Sequence, residues 1–536
     1  MRRVVIALVT AGLLAAGIVT APLAQAAPTG PSATPDFQPA PVTWGPCTTN
    51  NTLKARGAEC GFVEVPLDYA NPRGTKIQLA VSRLKHTTTD FQGVMLVNPG
   101  GPGGSGLIYS VLRDSATLNG AGKSYDWIGF DPRGVGSSKP ALSCIPDYAG
   151  YNRPYYIPDN PKDEAAWLKK SASYSAACAV KGRDLLPHLT TADSAKDMDS
   201  IRKALGQEQI NYYGFSYGTY LGSVYATLFP QNLRRAVFDG VVDPRGVWEQ
   251  DNYDQDIAFE RNIKIYFEWV AKYDSIYHLG TTEAAVEKQY DDQYQALRTT
   301  PAGGKIGSSE WNDIFLQAGY YVYGWEDIAT AFSSWVNDKN ADGLIALYGG
   351  PPFDDNGYAM YLGVQCVDAT WSSYPQFRQK NAAVYKKAPF ETWSNAWFNA
   401  PCTFWPAKAG TPVKIDGSKA PPILLVSETL DAATPYSGAL EIRKQFPKSS
   451  LLEGVGGTTH AGTFGDSDCE NAVVASYIAT GALPKRVAGN GKSDAQCDPN
   501  PQPVPTAPAT AASMAATGSG AAAQAVPGSG TKALTR

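Results

Sequence analysis

One serine of this chain stands in a pattern that is typical of a hydrolytic nucleophile. Ser216 is the central residue of the chain's only Gly-x-Ser-x-Gly match, which runs from Gly214 to Gly218. When this motif forms a sharp turn between a strand and a helix, the serine hydroxyl is exposed where a base can reach it. The flanking segments fit such a turn, because residues 209–213 favour a strand and residues 219–229 can form a helix that ends before Pro230. The pattern therefore predicts Ser216 as a nucleophile.

The residues after Ser216 include candidates for the base and the acid that such a nucleophile requires. In hydrolases built on a parallel sheet the chain order is serine, acid, histidine. Two histidines follow Ser216, and these are His278 in a helix-like region and His460 in a glycine-rich loop. A loop is better placed to reach across to a serine, which favours His460. Asp431 follows a predicted strand at 422–427 and is the expected acid, whereas the alternative, Glu428, fits a structural or solvated role better.

A glycine-rich segment at residues 98–106 predicts part of an oxyanion hole. It reads Asn-Pro-Gly-Gly-Pro-Gly-Gly-Ser-Gly and directly follows a short apolar run at 94–97. An oxyanion hole needs backbone N–H groups aimed at the developing charge, and glycines let the backbone approach a ligand closely. We expect the donors to be the N–H groups of Gly101 and Tyr217. A phosphate-binding loop is the alternative, but the segment fits neither the lysine-containing pattern nor the dinucleotide-binding one.

The elements that must position these residues alternate between strand and helix. A helix is predicted at 191–205, with Thr191 or Asp193 as its N-cap. Strand-like runs lie at residues 77–84, 94–97, 127–130, 209–213, 235–238, 422–427 and 450–453. Such alternation indicates an α/β fold with a mostly parallel sheet. Ligands in these folds bind beyond the carboxyl ends of the strands, where Ser216 and the glycine-rich segment both fall.

The pattern changes along the chain in a way that predicts an inserted lid. Residues 43–241 and 419–498 carry the strand and helix alternation and are expected to form two parts of one core. Residues 242–418 hold aromatic-rich, helix-like stretches, for example at 257–273 and 311–335, and are expected to form a helical lid. Residues 27–42 and 499–536 are rich in small residues and proline, which predicts an unstructured leader or pro-segment and a disordered tail.

Residues 1–26 are typical of a signal peptide. Arg2 and Arg3 precede an apolar stretch at 4–19, and Ala24-Gln25-Ala26 is a small-residue cleavage site. A membrane anchor is the alternative, but glycines interrupt the stretch and it leads directly into the cleavage site. We therefore expect a secreted, extracellular protein that makes no membrane contact once the signal is removed.

Net charge and cysteine content limit the partners and cofactors that this chain is expected to bind. The formal net charge is −4 and no basic patch is present, which argues against nucleic acid. Eight cysteines in an exported chain predict disulfides, and many connectivities are possible. The simplest one joins neighbours in the chain: Cys47 with Cys60, Cys144 with Cys178, Cys366 with Cys402, and Cys469 with Cys497. A metal site is not expected, because the chain has no Cys-x-x-Cys and four histidines.

Four motifs carry a resemblance to a known family. They are residues 98–106, Phe130-Asp-Pro-Arg-Gly134, Gly214-Phe-Ser-Tyr-Gly218 and Asp431-Ala-Ala-Thr-Pro435. From about Trp44 to Cys497 the chain resembles the secreted tripeptidyl aminopeptidases of actinobacteria, which are α/β-hydrolase serine exopeptidases related to proline iminopeptidases. The resemblance implies a sheet with helices on both faces and a large helical lid. It also implies Ser216, Asp431 and His460 as the triad, and Gly101 with Tyr217 as the oxyanion donors.

The activity implied by this resemblance is the release of N-terminal tripeptides from peptides with a free amino end. We expect a monomer, and no metal or organic cofactor is implied. An esterase or lipase, or another aminopeptidase of the proline iminopeptidase kind, is the alternative on the same scaffold, because a fold does not determine a function. A non-catalytic binding protein is a further alternative.

An exopeptidase must also recognise the α-ammonium group of its substrate, for which a partly buried carboxylate is the natural partner. The predicted lid offers three candidates. We favour Glu260, and Asp256 lies one turn earlier on the same helix face. Asp368, near Cys366, is the third candidate.

Overall fold

A computed structural model describes residues 37–349 and 354–506 of the chain. The predicted signal peptide, residues 27–36 of the predicted leader and residues 507–536 of the predicted tail lie outside the described residues.

Ten strands form one sheet within the described residues, in the order β1-β2-β3-β5-β4-β6-β7-β8-β9-β10. The pairs along β5-β4-β6-β7-β8-β9-β10 are parallel, and β1, β2 and β3 add an antiparallel edge beside β5. The strands are β1 Gly45–Pro46, β2 Glu59–Pro66, β3 Lys76–Leu84, β4 Val94–Asn98, β5 Asp126–Phe130, β6 Ile210–Phe215, β7 Leu233–Asp239, β8 Ile423–Glu428, β9 Ser450–Gly454 and β10 Ala495–Cys497. The predicted mostly parallel sheet is confirmed.

Helices cover both faces of this sheet. Every residue of β4 is buried, and successive residues alternate between two apolar clusters, with Leu96 in one and Val97 in the other. A parallel strand that is buried on both faces reads as a continuous apolar run, as residues 94–97 do. The helices of this core are α1 Asn51–Ala55, α2 Pro161–Lys181, α3 Thr191–Ala204, α4 Tyr217–Leu228, α14 Ser437–Gln445 and α15 Asp468–Thr480. The N-cap of α3 is Thr190 rather than Thr191 or Asp193, because its hydroxyl accepts the N–H of Asp193 at 3.1 Å.

A second group of helices is inserted between β7 and β8, which are neighbours in the sheet. These helices are α5 Glu249–Lys272, α6 Asp274–Tyr277, α7 Glu283–Ala296, α8 Ser308–Tyr320, α9 Trp325–Asp338, α10 Asp342–Tyr348, α11 Asp355–Asp368, α12 Tyr374–Tyr385 and α13 Thr392–Asn399. Helices α5 to α10 have an aromatic core of their own, in which Trp311, Trp325 and Phe315 are fully buried, whereas α11 packs into one of the two clusters of the sheet. The stretch predicted at 311–335 is two helices, α8 and α9, because Tyr321 adopts an extended backbone between them (φ −143°, ψ 132°).

The ordered part of the chain extends beyond the boundaries that composition predicts. Residues 37–42 were expected in the leader, yet the Phe37 carbonyl accepts a hydrogen bond from Lys203 Nζ at 3.2 Å. Residues 499–506 were expected in the tail, yet Asn500 is buried and Trp269 Nε1 donates to the carbonyl of Pro503 at 2.9 Å. Composition did not reveal these contacts, because each depends on a partner that is distant in the chain.

Four disulfides pair all eight cysteines, and each pairing is the one predicted between neighbours: Cys47–Cys60, Cys144–Cys178, Cys366–Cys402 and Cys469–Cys497. Among the described residues, no helix combines the length and the apolar character needed to cross a membrane.

Candidate active site

Ser216 lies in a strained turn between β6 and α4. Its φ of 54° and ψ of −127° are unusual for a residue with a side chain, and such strain concentrates at functional sites. A Cβ atom on Gly214 would lie 2.5 Å from the Gly218 carbonyl oxygen, and one on Gly218 would lie 2.6 Å from the Asn98 carbonyl oxygen. Both outer glycines of the motif are therefore required by close backbone approach, which holds the partly exposed Ser216 at the tip of the turn.

His460 and Asp431 form a buried hydrogen-bonded pair. His460 Nδ1 lies 2.8 Å from Asp431 Oδ2 and 3.1 Å from Oδ1. The Asp431 carboxylate also accepts the N–H groups of Ala433 and Thr434 at 2.9 and 3.0 Å, and the Thr434 hydroxyl at 2.8 Å. These bonds fix the orientation of the carboxylate, and the carboxylate in turn fixes that of the imidazole.

The electrostatic surroundings of His460 favour its charged form. Burial alone lowers the pKa of His460, but the carboxylates of Asp431, Asp239 and Glu428 outweigh it and raise the pKa above the ordinary 6.5. The second histidine considered from the sequence, His278, is exposed at the C-terminus of α6 in the lid.

The end of β7 brings Ser216 and His460 into one neighbourhood. The N–H of Ser216 donates to the carbonyl of Asp239 at 2.9 Å. The next residue, Gly240, has a φ of 68° and faces the imidazole, because a Cβ atom there would lie 3.0 Å from His460 Cε1 and 3.2 Å from Nδ1. The end of β7 therefore contacts both the Ser216 turn and the imidazole, while Ser216, Asp431 and His460 themselves follow β6, β8 and β9.

The glycine-rich segment packs against the Ser216 turn. A Cβ atom on Gly100 would lie 2.8 Å from Ser216 Cβ and 3.1 Å from the backbone nitrogen of Tyr217. Gly101 follows with a φ of 112°. The N–H of Tyr217 is the first of α4 and has no partner within that helix. The expected donors, Gly101 and Tyr217, therefore come from two segments in contact with each other.

Asp131 holds the end of the glycine-rich segment by hydrogen bonds. Its carboxylate accepts the Ser105 hydroxyl at 2.6 Å and the N–H of Gly106 at 2.9 Å. On its other oxygen it accepts the N–H of Ser137 at 2.8 Å. Two residues further on, Arg133 forms a fully buried ion pair with Asp197. Asp131 of the Asp-Pro-Arg-Gly motif thus supports the glycine-rich segment, and Arg133 joins the motif to α3.

Two of the three lid carboxylates are already occupied. Glu260 accepts the N–H of Phe390 at 3.0 Å and pairs with Lys264 at 3.1 Å. Asp368 accepts the N–H and hydroxyl of Thr191 at 2.7 and 2.5 Å, and the Trp248 indole N–H at 3.2 Å. The preference for Glu260 over its helical neighbour is therefore not supported, because helical spacing shows which side chains share a face but not which partners they find.

Asp256 is the candidate that keeps an open acceptor. It is 1% exposed, and its Oδ1 accepts Asn395 Nδ2 at 2.8 Å. Its Oδ2 has no hydrogen-bond partner among the described residues. The Thr392 hydroxyl is close to this carboxyl group but donates to the carbonyl of Ala388. Burial raises the pKa of Asp256 to about 8.

A carboxylate that the sequence did not single out lies close by. Glu391 is 5% exposed, and its Oε2 has no partner in the described part of the chain. Burial raises the pKa of Glu391 well above 4.5, and repulsion from Asp256 raises it further. Glu391 lies outside any motif, directly before α13, so that only the tertiary structure associates it with Asp256.

Contacts of α5, the helix of Asp256, connect it to the loops that carry Asp431 and His460. Gln255, beside Asp256, donates to the Ala433 carbonyl at 2.6 Å, two residues after Asp431. Phe259 packs on Tyr320 with 4.8 Å between ring centroids. The carbonyl of Tyr320 accepts the N–H of His460 at 2.8 Å, and its ring lies edge-on to the imidazole. The inserted helices are therefore in direct contact with the loops that carry Asp431 and His460.

Sequence similarity to known proteins covers most of this chain. Residues 93–464 match a family model described as the alpha/beta hydrolase fold. The tripeptidyl aminopeptidase of Streptomyces lividans is 40% identical over 476 residues, which are 86% of this chain and 87% of that protein. The serine protease Hip1 of Mycobacterium tuberculosis is 30% identical over 83% of this chain and 90% of its own.

Two further comparisons concern other activities. A carboxylesterase B of Mycobacterium tuberculosis is 31% identical over 89% of this chain and 96% of its own. Among solved structures, the proline iminopeptidase of Mycobacterium smegmatis covers 78% of this chain and 97% of its own at 15% identity, with a TM-score of 0.36. By the family model and the extent of the sequence identity, this chain belongs to the α/β-hydrolase family and, within it, to the family of the Streptomyces tripeptidyl aminopeptidases, and it is a serine peptidase on that scaffold.

Proposed function

We propose that this chain is a secreted exopeptidase that releases tripeptides from the free amino end of peptides through an acyl-enzyme on Ser216. The observation that carries the proposal is the buried Asp256 carboxylate with its open oxygen, on the helix whose Gln255 donates to the Ala433 carbonyl two residues after Asp431. The identity of 40% with an enzyme named tripeptidyl aminopeptidase supports the cut length. The four disulfides support an oxidising, extracellular location.

The proposed reaction is acyl transfer in two stages. His460 removes the proton from the Ser216 hydroxyl as the serine oxygen attacks the carbonyl carbon at the scissile bond. The tetrahedral intermediate collapses, the C–N bond breaks, and His460 returns the proton to the leaving amine. A water molecule then attacks the ester, with His460 as base again, and frees the tripeptide. Asp431 holds the imidazole in the tautomer with a proton on Nδ1 and stabilises its positive charge.

The negative charge of each tetrahedral intermediate requires nearby donors. We assign this role to the N–H groups of Tyr217 and Gly101. The Tyr217 N–H lies at the positive end of α4, which adds to the stabilisation. Because Asn98 accepts the Gly100 N–H at 3.0 Å, the turn is held in place before the substrate arrives.

Asp256 and Glu391 are proposed to bind the α-ammonium group. A buried carboxyl group with an open acceptor is costly unless a charge or donor pairs with it. An ammonium supplies both. Because the raised pKa of Asp256, about 8, keeps the empty site largely protonated at neutral pH, binding of the ammonium releases a proton.

An esterase is the second candidate, because the Mycobacterium relative named carboxylesterase B is 31% identical. A neutral ester carries no positive charge to match a buried carboxylate pair. The two functions therefore differ in whether the Asp256 site contributes to catalysis.

Kinetics on a matched set of fluorogenic amides test the proposal. The amides carry one, two or three residues before the scissile bond, each with a free or an acetylated amino end. We expect the free-amine tripeptide to have the highest kcat/KM, acetylation to remove most of it, and Ser216→Ala to be inactive. Equal turnover of acetylated amides or simple esters would contradict the exopeptidase assignment.

Variants of Asp256 and Glu391 test the ammonium site in the same assay. Asp256→Asn and Glu391→Gln should each lower kcat/KM for the free-amine tripeptide by about 10- to 100-fold, as expected for a lost charge-assisted hydrogen bond. Glu268→Gln is the matched control, because Glu268 is exposed on the same helix. Glu260→Gln should have a smaller effect than Asp256→Asn, since Lys264 and Phe390 already occupy Glu260. The opposite ranking would restore Glu260 as the binding residue.

Secretion has its own test. Intact mass of the protein from the culture medium should correspond to a chain that lacks residues 1–26. Retention of the whole chain in the cells would contradict this part of the proposal.

A further inference from the structure

Asp239 connects the serine turn to the loop that carries His460. Its backbone carbonyl accepts the N–H of Ser216 at 2.9 Å. Its side chain is fully buried, and Oδ2 accepts the N–H of Thr463 at 3.0 Å and also the Thr463 hydroxyl. One residue at the end of β7 thus contacts both the turn of the nucleophile and the loop of the base.

A tyrosine of the nucleophile strand completes this connection. The Tyr213 hydroxyl lies 2.7 Å from Thr463 Oγ1. Because the Thr463 proton is directed to Asp239 Oδ2, Tyr213 must be the donor in that bond. The series Tyr213 to Thr463 to Asp239 therefore links β6, the histidine loop and β7 in a closed ring, with Ser216 at the end of β6.

In the described part of the chain, the carboxylate of Asp239 is buried with one oxygen left without a hydrogen bond. Its Oδ1 has no hydrogen-bond partner among the described residues. Burial raises the pKa of Asp239 to about 6, with His460 opposing that rise and Asp431 adding to it. Glu470 of α15, Tyr213 of β6 and Tyr323 of the lid are the other titratable groups that face it.

We propose that Asp239 is a positioning residue for His460: its carboxylate holds the histidine loop through Thr463 and places a second negative charge behind the imidazole, in addition to Asp431. This inference rests on the proposed roles of Ser216 and His460 as nucleophile and base. The hydrogen bonds maintain the geometry, and the charge stabilises the imidazolium that forms when Ser216 reacts.

The two contributions can be separated by one substitution. In Asp239→Asn the amide oxygen can accept both bonds from Thr463, while the amide nitrogen takes the place of the unpartnered Oδ1. The variant thus removes the charge and keeps the ring of hydrogen bonds. Since Asp239 raises the pKa of His460, its neutralisation should lower that pKa. The acidic limb of the activity profile should then move to lower pH.

The test measures the rate of Ser216 labelling by a fluorophosphonate between pH 4.5 and pH 8.5. For Asp239→Asn we expect the acidic limb to shift to lower pH, together with a reduced plateau rate. Asp468→Asn is the matched control, because it removes one exposed carboxylate at the start of α15, and its limb should coincide with that of the wild type. A limb that does not move in Asp239→Asn would overturn the electrostatic role.

A second pair of variants tests the hydrogen bonds without changing any charge. Thr463→Val removes the hydroxyl and should lower the plateau labelling rate by about tenfold, whereas Thr463→Ser should recover most of that rate. Equal rates for the two variants would overturn the role of the Tyr213, Thr463 and Asp239 series.

The probe also separates this inference from the proposed function, because it carries no amino end. Lack of tripeptide cleavage by the wild type would contradict the proposed function and leave the labelling comparison valid. Equal labelling profiles for wild type and Asp239→Asn would contradict the role of Asp239 and leave the peptide specificity unaffected.

Discussion

Glu470 provides a quantitative test of the electrostatics beneath the histidine loop. It lies in the first turn of α15 with 0% exposure, and neither carboxyl oxygen has a hydrogen-bond partner in the described part of the chain. Its two oxygens face Gly454 and Gly462, and the Glu428 side chain faces the same two glycines. Burial raises the pKa of Glu470 to about 9, and the charges of Glu428 and Asp239 add to the rise. Glu470 is therefore neutral in the native state at neutral pH.

The consequence is a loss of stability with rising pH. Any stability that Glu470 contributes is fully present below its unfolded pKa of 4.5 and is lost as the pH rises through its native pKa of about 9. Between these values the native state binds one proton more than the unfolded state. The free energy of unfolding then falls by about 1.4 kcal/mol per pH unit, or about 3 kcal/mol from pH 6 to pH 8.

Glu470→Gln removes this dependence. The amide resembles the protonated acid in shape and has no charge to gain. Its buried NH₂ group costs about 1–3 kcal/mol, but equally at every pH. The variant should therefore gain about 3 kcal/mol relative to the wild type from pH 6 to pH 8. Other titrating groups cancel in this difference, because both proteins contain them.

Urea unfolding followed by tryptophan fluorescence at pH 6, 7 and 8 measures the effect. Glu208→Gln is the control, since Glu208 is exposed and its substitution removes one carboxylate without changing the core. If the difference in unfolding free energy between Glu470→Gln and the wild type is the same at all three pH values, the assignment of a proton to Glu470 is refuted.

Three further substitutions test the supports of the site. Gly100→Ala places a Cβ atom 2.5 Å from the Phe215 carbonyl oxygen at a φ of 98° and should lower kcat/KM by about 100-fold. Gly120→Ala is the control, because Gly120 has a φ of 82° but open space around it, and this variant should retain activity. Full activity of Gly100→Ala would exclude tight contact with the Ser216 turn. Asp431→Asn should lower kcat by about 10⁴-fold in a protein that still unfolds like the wild type, and a small loss would exclude Asp431 as the acid. Arg133→Met leaves Asp197 buried without its cation and should lower the free energy of unfolding by about 3–5 kcal/mol, as measured by urea unfolding. An unchanged free energy of unfolding would show that the ion pair contributes nothing to stability.

Local sequence determined what could be predicted of the catalytic centre. The Ser216 turn depends on two glycines that must approach other backbone atoms, and that requirement is visible as a motif. Asp431 and His460 follow strands in a chain order that the sheet imposes. The burial of residues 94–97 on both faces likewise leaves a continuous apolar run.

The substrate site and the supports of the histidine loop depend on tertiary contacts instead. Glu260 and Asp256 are equivalent by helical spacing, and only the packed lid shows that Lys264 neutralises Glu260 while Asp256 keeps an open oxygen. Glu391 belongs to no recognisable motif, and the strand pattern at 235–238 gives no function to Asp239 at its end. Each acquires its role from partners more than 100 residues away in the chain, such as Asp256 for Glu391 and Thr463 for Asp239.

The central claim is that the chain removes tripeptides from free amino ends, and the products of one unlabelled peptide test it most directly. A ten-residue peptide with a free amino end is digested and the products are identified by mass spectrometry over time. The account predicts the intact N-terminal tripeptide first and then the next tripeptide. It predicts no product when the amino end of the peptide is acetylated, and none when Ser216→Ala replaces the wild-type enzyme. Single residues, internal fragments or cleavage of the acetylated peptide would contradict it.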